Sequence, residues 1–168
     1  YLQPNIDMAA HESATKNIFK VNSDTCYKEM GNLFRAIILT ALKKEYLAVR
    51  AHLDDPKEET HKGTIYEVGK FSENGRVWDV AILEAGRYNE RASFEAERAI
   101  SHFHPNVAIF IGVAGGIHDV SLGDVVAATK VYGYEAGKAK DKFCPTPEIY
   151  RSSYILEQRA RAVARNAD

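Results

Sequence analysis

An α/β fold with a mixed central sheet flanked by helices is what this 168-residue sequence predicts, and three observations carry that prediction. Short apolar runs alternate with segments whose apolar residues recur at helical spacing. Two of the strand-like runs are joined by an Asn-Gly pair, the turn signal of antiparallel neighbours, so the sheet cannot be wholly parallel. The length suits one domain with a sizeable core, since domains cluster at roughly 100 to 150 residues.

Residues 1–33 are polar, without sustained periodicity, and read as an extension or linker; the ordered domain is expected over 34–168. Phe34 and Ala36 to Leu39 form a short apolar run that suits a buried strand. Leu42, Tyr46, Val49 and Leu53 then mark one face of a helix. The Asp54-Asp55-Pro56 cluster should end it and open a charged loop to Gly63, because proline disfavours helical geometry in the residue before it. Thr64 to Phe71 and Val77 to Leu83 make a hairpin around Asn74-Gly75. Gly86 breaks the second of these strands. Ala92, Ala96, Ala99, Ile100 and Phe103 predict a helix that stops before Pro105. Val107 to Val113 is a nearly continuous apolar run, as expected of a central strand covered on both sides. Asp124 to Val131 is read as a further strand, and a Gly- and Lys-rich loop containing Pro145 and Pro147 follows. A last helix should start near Glu148, with Ile149, Leu156, Ala160 and Val163 on one side.

Hydrophobic residues make up 45% and charged residues 27% of the chain, with a net charge of -1. That balance argues against a disordered or membrane chain. Acidic and basic residues are interspersed, so the one-sided field that a nucleic-acid or anionic-membrane partner needs is missing. A small molecule is the expected partner. Cys26 and Cys144 stand far apart among polar residues, which fits neither a disulfide framework nor a Cys-x-x-Cys metal site, and a reducing, cytoplasmic setting is expected. No stretch approaches the ~18 apolar residues of a membrane span, and the first residues lack a signal-peptide pattern. The first residue is Tyr rather than Met, which suggests an excerpted or processed chain.

In open α/β sheets ligands bind beyond the carboxyl ends of the strands, so chemistry is sought just after each apolar run. Three segments qualify: Thr40-Ala41-Leu42-Lys43-Lys44-Glu45, Glu84-Ala85-Gly86-Arg87-Tyr88, and Gly112-Val113-Ala114-Gly115-Gly116. The small residues of the third let backbone amides approach a ligand closely. It has neither the G-x-G-x-x-G order of a dinucleotide site nor the Gly-Lys-Ser/Thr of a P-loop, and alone it reads more readily as a turn.

Taken together, these segments and the following Gly123-Asp124-Val125 resemble the methylthioadenosine/adenosylhomocysteine nucleosidases and the wider purine nucleoside phosphorylase relatives over roughly 36–134. The family's Gly-Ala-Met-like turn, Ser-Gly-Ile-Gly and Gly-Ser-Ala-Gly-Gly segments appear here in the same order. The resemblance implies a truncated phosphorylase/nucleosidase-like domain that binds a purine-type nucleoside and, when complete, cleaves its N-glycosidic bond. No cofactor and no metal are implied. It places Glu45 at the family's glutamate near the attacking water, where a carboxylate can orient the water and accept its proton. Glu45 in a helix's first turn is also favoured by the dipole alone. Ala41, Leu42, Gly86, Arg87, Gly112, Val113, Ala114 and Gly115 fall at the nucleoside-contacting positions.

Departures from the family pattern sharpen the expectation. Thr40-Ala41-Leu42 lacks the Gly-Asp-Pro turn of phosphate-using relatives, which favours hydrolysis over phosphorolysis, with phosphate kept as an alternative nucleophile. Arg87-Tyr88 replaces an Ile-Gly pair, so Arg87 could bind an anion or plug the pocket. The family's ribose-gripping Glu and late catalytic Asp would follow Asp168, and this polypeptide alone is expected to be inactive. The loop 132–138 and the helix over 151–165 resemble the subgroup of large multidomain signalling proteins. Fusion to signalling or repeat modules, homo-oligomers, and a nucleoside- or nucleotide-sensing role with little turnover are the corresponding alternatives.

Other chemistry-bearing residues read as structural. His102 and His104 lack a third ligand for zinc, and Asp119, after His118, suits a local backbone turn. Trp78 lies in an alternating strand and should pack on the sheet. No Ser or Cys occupies a nucleophile elbow.

Overall fold

The computed structural model describes residues 34–139 and 142–166. The expected extension over 1–33 and Cys26 lie outside the described residues.

The main sheet has five strands in the order β2-β3-β4-β1-β5. Strand β1 (Phe34–Thr40) feeds helix α1 (Lys43–Arg50), and β2 (Asp54–His61), β3 (Thr64–Glu73) and β4 (Arg76–Glu84) follow as a meander. Helix α2 (Asn89–Phe103) then leads to β5 (Val107–Phe110). β4 and β5 both run parallel to β1, whereas β2–β3 and β3–β4 are antiparallel. The sheet is therefore mixed, as the hairpin requires.

The strands alternate their side chains between two cores. Ala36 and Ile38 of β1 join Val80, Ile82, Phe71 and Trp78 against Val49 of α1. Ile37 and Leu39 join Ala81, Leu83 and Tyr66 against Ala99 of α2. One helix covers each face, and full burial of each such aliphatic side chain contributes roughly 1.5–3 kcal/mol. Trp78 is a packing residue, its ring 5.0 Å from that of Phe34. Asn74 (φ 50°) and Gly75 (φ 74°) both take positive φ, so the Asn-Gly turn is of the kind that matches strand twist. Helix α2 ends at His104 in the left-handed conformation (φ 48°), one residue before Pro105.

Five expectations need correction. The charged stretch after α1 is not a loop but strand β2, paired with β3 through a register shift between Asp54 and Lys57. An outer strand can be charged because one side faces water, and Pro56 sits at its irregular start, where a missing N–H is tolerated. The apolar run at Val107 is strand β5, but at the sheet's edge: it pairs with β1 alone among the described residues, and Ala108 and Phe110 are exposed. The strand expected over 124–131 is confined to β6 (Lys130–Gly133), since 124–128 find no strand partner. Finally, Ile149 belongs to β9 (Glu148–Arg151), antiparallel to β6, and the last helix, α3 (Tyr154–Ala164), starts only after Ser152-Ser153. Between them, the Gly- and Lys-rich loop folds as a small hairpin of β7 (Gly137–Ala139) and β8 (Phe143–Pro145). No helix among the described residues is long and apolar enough to cross a membrane.

Candidate active site

Because β1, β4 and β5 are parallel, their carboxyl ends open at one edge of the sheet, and the three candidate segments meet there. Register aligns Thr40 with Glu84 and Leu39 with Phe110. Past the strands, the Ala85 N–H donates to the Thr40 carbonyl (2.8 Å) and the Ile111 N–H to the Leu39 carbonyl (2.9 Å). The fully buried Thr40 hydroxyl donates to the Leu83 carbonyl at 3.3 Å, locking the two strand ends together.

Glu45 is the centre of this edge. It is one of two buried polar residues among those described, with 7% of its surface exposed. Leu42 is the N-cap of α1, so Glu45 stands at the third helical position and reaches back to the amides that a helix start leaves without partners. Its Oε2 accepts the N–H groups of Ala41 and Leu42, each at 2.8 Å. Its Oε1 accepts the Val113 N–H at 2.8 Å, across 68 residues of sequence. One carboxylate thus fastens the turn after β1 to the loop after β5. Gly112 explains itself here: a Cβ at that position would lie 3.2 Å from Glu45 Oε1. A carboxylate has about four acceptor positions, and three are filled by amides, which leaves room for one further donor such as a water.

The other candidate residues divide around this centre. Ala41 and Leu42 are half-buried beside it, while Gly112, Val113, Ala114 and Gly115 form its exposed outer rim. A Cβ on Gly115 would meet nothing within 4 Å, so that glycine borders open space. Gly86 has φ +86°, a left-handed turn immediately after β4 that aims the chain into α2. Arg87 is exposed, so it does not fill the crevice. Sequence reasoning missed Arg91, whose Cδ lies 3.3 Å from a Cβ built on Gly86. Its position in the first turn of a helix five residues after a glycine carries no signal in the sequence. Asp124 of the Gly-Asp-Val segment closes a local turn, its Oδ2 accepting the Ser121 N–H at 2.7 Å.

Among the described residues no three His, Cys, Asp or Glu side chains are placed to hold a metal ion. An open cleft of about 290 Å³, lined by Arg35, Glu59, Asp79 and His102, lies at the opposite, amino end of β1 and β4, away from Glu45.

The family model described as "Phosphorylase superfamily" matches residues 35–168. The chain belongs to that superfamily. A 5'-methylthioadenosine/S-adenosylhomocysteine nucleosidase of Marinomonas sp. is 28% identical over 135 residues, covering 74% of this chain and 55% of that protein. An ATP nucleosidase Cap17 of Escherichia coli is 29% identical over 121 residues, covering 67% of this chain and 24% of that protein. The chain spans about half the length of the nucleosidase relatives it matches. Among solved structures, the S-adenosylhomocysteine nucleosidase of Streptococcus pyogenes aligns with a TM-score of 0.65 at 18% identity, over 83% of this chain and 60% of that one. The 5'-methylthioadenosine/S-adenosylhomocysteine nucleosidase of Neisseria meningitidis gives 0.64 at 21%, over 79% and 58%. The mixed sheet flanked by helices is therefore this superfamily's fold.

Proposed function

We propose that this chain supplies the water and ribose side of an N-glycosidase site that cleaves a purine-type nucleoside by hydrolysis. The observation that carries the reading is the buried Glu45 carboxylate at the junction of three strand ends, with one acceptor position left for a water. In this role Glu45 orients the attacking water, while Gly86 and the backbone of Gly112 to Gly115 line the ribose as positive charge develops on the sugar. The nucleosidase relatives support hydrolysis, and phosphate is retained as the alternative nucleophile. The departing base must be protonated by another group, since none of Ala41, Leu42, Gly112 and Val113, which meet Glu45, carries an acid.

A second reading has its own support. Glu45 is so fully engaged by backbone amides that it also suits a purely positioning role, and exposed Arg87 stands where a charged ligand could reach it. On that reading the domain is a nucleoside or nucleotide sensor joined to signalling modules. The Cap17 match, which covers 24% of that protein, supports the idea of a unit within a larger polypeptide. A cytoplasmic setting and self-association belong to the same proposal.

Calorimetric titration with purine nucleosides, combined with an assay of free-base release by the full-length protein with and without phosphate, separates the readings. Under the enzyme reading a nucleoside binds, any base release is independent of phosphate, and Glu45→Gln slows it by about 10²-fold or more while binding persists. Binding without base release, unchanged by Glu45→Gln, favours the sensor. Failure to bind any purine nucleoside sinks both.

A further inference from the structure

Strand β2 has little apolar burial to hold it: of its eight residues only Pro56 and His61 are even half-buried. At its far end, however, the His61 ring lies face to face with the His102 ring of α2, centroids 3.8 Å apart and planes within 9°. Glu59, two residues earlier and so on the same face of the strand, places Oε1 2.6 Å from His102 Nε2. One strand thus presents both a carboxylate and an imidazole to a single ring of α2.

Two stacked imidazoles can share one positive charge far more easily than two. Glu59 faces His102, so a positive charge on that ring would stand against a carboxylate. A second proton, on His61, would meet the charged His102 at van der Waals distance, with Lys62 and Arg98 also nearby. Partial desolvation, then His102, Lys62 and Arg98, hold His61 below the usual imidazole range, against the opposing pull of Glu59. The remaining groups around the pair are Glu95, which pairs with Arg98 at 3.6 Å, the Tyr66 ring at 6.4 Å from His102, and Arg35 on the adjoining cleft.

We propose that the stacked His61–His102 pair is an acid-sensitive clasp between β2 and α2, closed while His61 is neutral and released when both rings carry protons. When the clasp opens, His61 regains its ordinary value near 6.5. Its closed-state value is lower, so the clasp keeps full strength above about pH 6.5 and weakens as pH falls toward that lower value. The neighbouring tie between β3 and α2 runs through the Thr64 hydroxyl, which donates to Glu95 at 2.7 Å and accepts from Arg98. It holds no histidine, so release stops at β2.

Amide exchange of the whole chain, followed by mass spectrometry at pH 7.5, 6.5 and 5.5 and corrected for intrinsic rates, tests the clasp. Protection over residues 57–61 should fall below pH 6.5, by up to about tenfold per pH unit for one proton, while β1 and β4 hold theirs. His61→Phe keeps a ring in the stack without a proton site, and its protection there should be flat. A flat profile in the unsubstituted protein, or the same fall in His61→Phe, overturns the proposal. Should His61→Phe not fold, proton NMR titration of the unsubstituted protein decides: His61 must titrate below the ordinary imidazole value, and titration at that ordinary value overturns it.

Discussion

Residues 34–111 and 112–166 are similarly rich in apolar side chains, yet only the first region buries them. Among the described residues, all the buried hydrophobic ones lie between Ala36 and Ala99. In the second region Ile117, Leu122, Val126, Tyr134 and Tyr154 are each more than two-thirds exposed, and α3 has no buried residue. The difference is one of partners rather than composition. β1 and β4 each have a strand on both sides and a helix on both faces, whereas β6, β7, β8 and β9 pair only two by two. Apolar sequence becomes core only where topology supplies a second layer, because a two-stranded ribbon cannot cover its own faces.

Substitutions can break or sharpen that contrast. Trp78→Ala, which empties a site beside Phe34 in the α1-side core, should cost about 3–5 kcal/mol in denaturant unfolding. A smaller loss is expected from Gly112→Ala at the boundary between the regions, about 1 kcal/mol, because the new methyl presses on Glu45 Oε1 and strains the Val113 tie. Nucleoside affinity should fall in the same variant, and an unchanged affinity would detach the rim from the site. Smallest of all, Val126→Ser in the exposed region should stay within about 0.5 kcal/mol of the parent, as surface changes do. A loss near that of Trp78→Ala would show that 126 is covered after all.

Local signals in the sequence located the Asn74-Gly75 hairpin, helix α2 and its end before Pro105, and β1 feeding α1. These elements depend on turn chemistry and short-range periodicity. β2 was not legible, because its residues are charged for the edge they occupy and its pairing is set by β3 rather than by its own hydrophobicity. The position of β5 was misread for the converse reason: the apolar run from Val107 to Val113 announces a strand but not how many neighbours it has. At the site, the convergence of the three segments that follow β1, β4 and β5 followed from the resemblance and the parallel order of the strands. The three-amide cradle of Glu45 did not, since its third donor, Val113, is brought close only by the pairing of β1 with β5. Arg91 against Gly86 was hidden for a different reason, since a contact over five residues at a helix start has no motif of its own.

The carboxylate of Glu45 also acts as a mechanical linkage. With one oxygen on the turn that leads into α1 and the other on the backbone after β5, the loop at 112–115 cannot swing outward without either breaking the Val113 bond or dragging on the helix start. Fraying of α1 and opening of that loop therefore become a single correlated motion, and whatever steadies one end of the lever steadies the other.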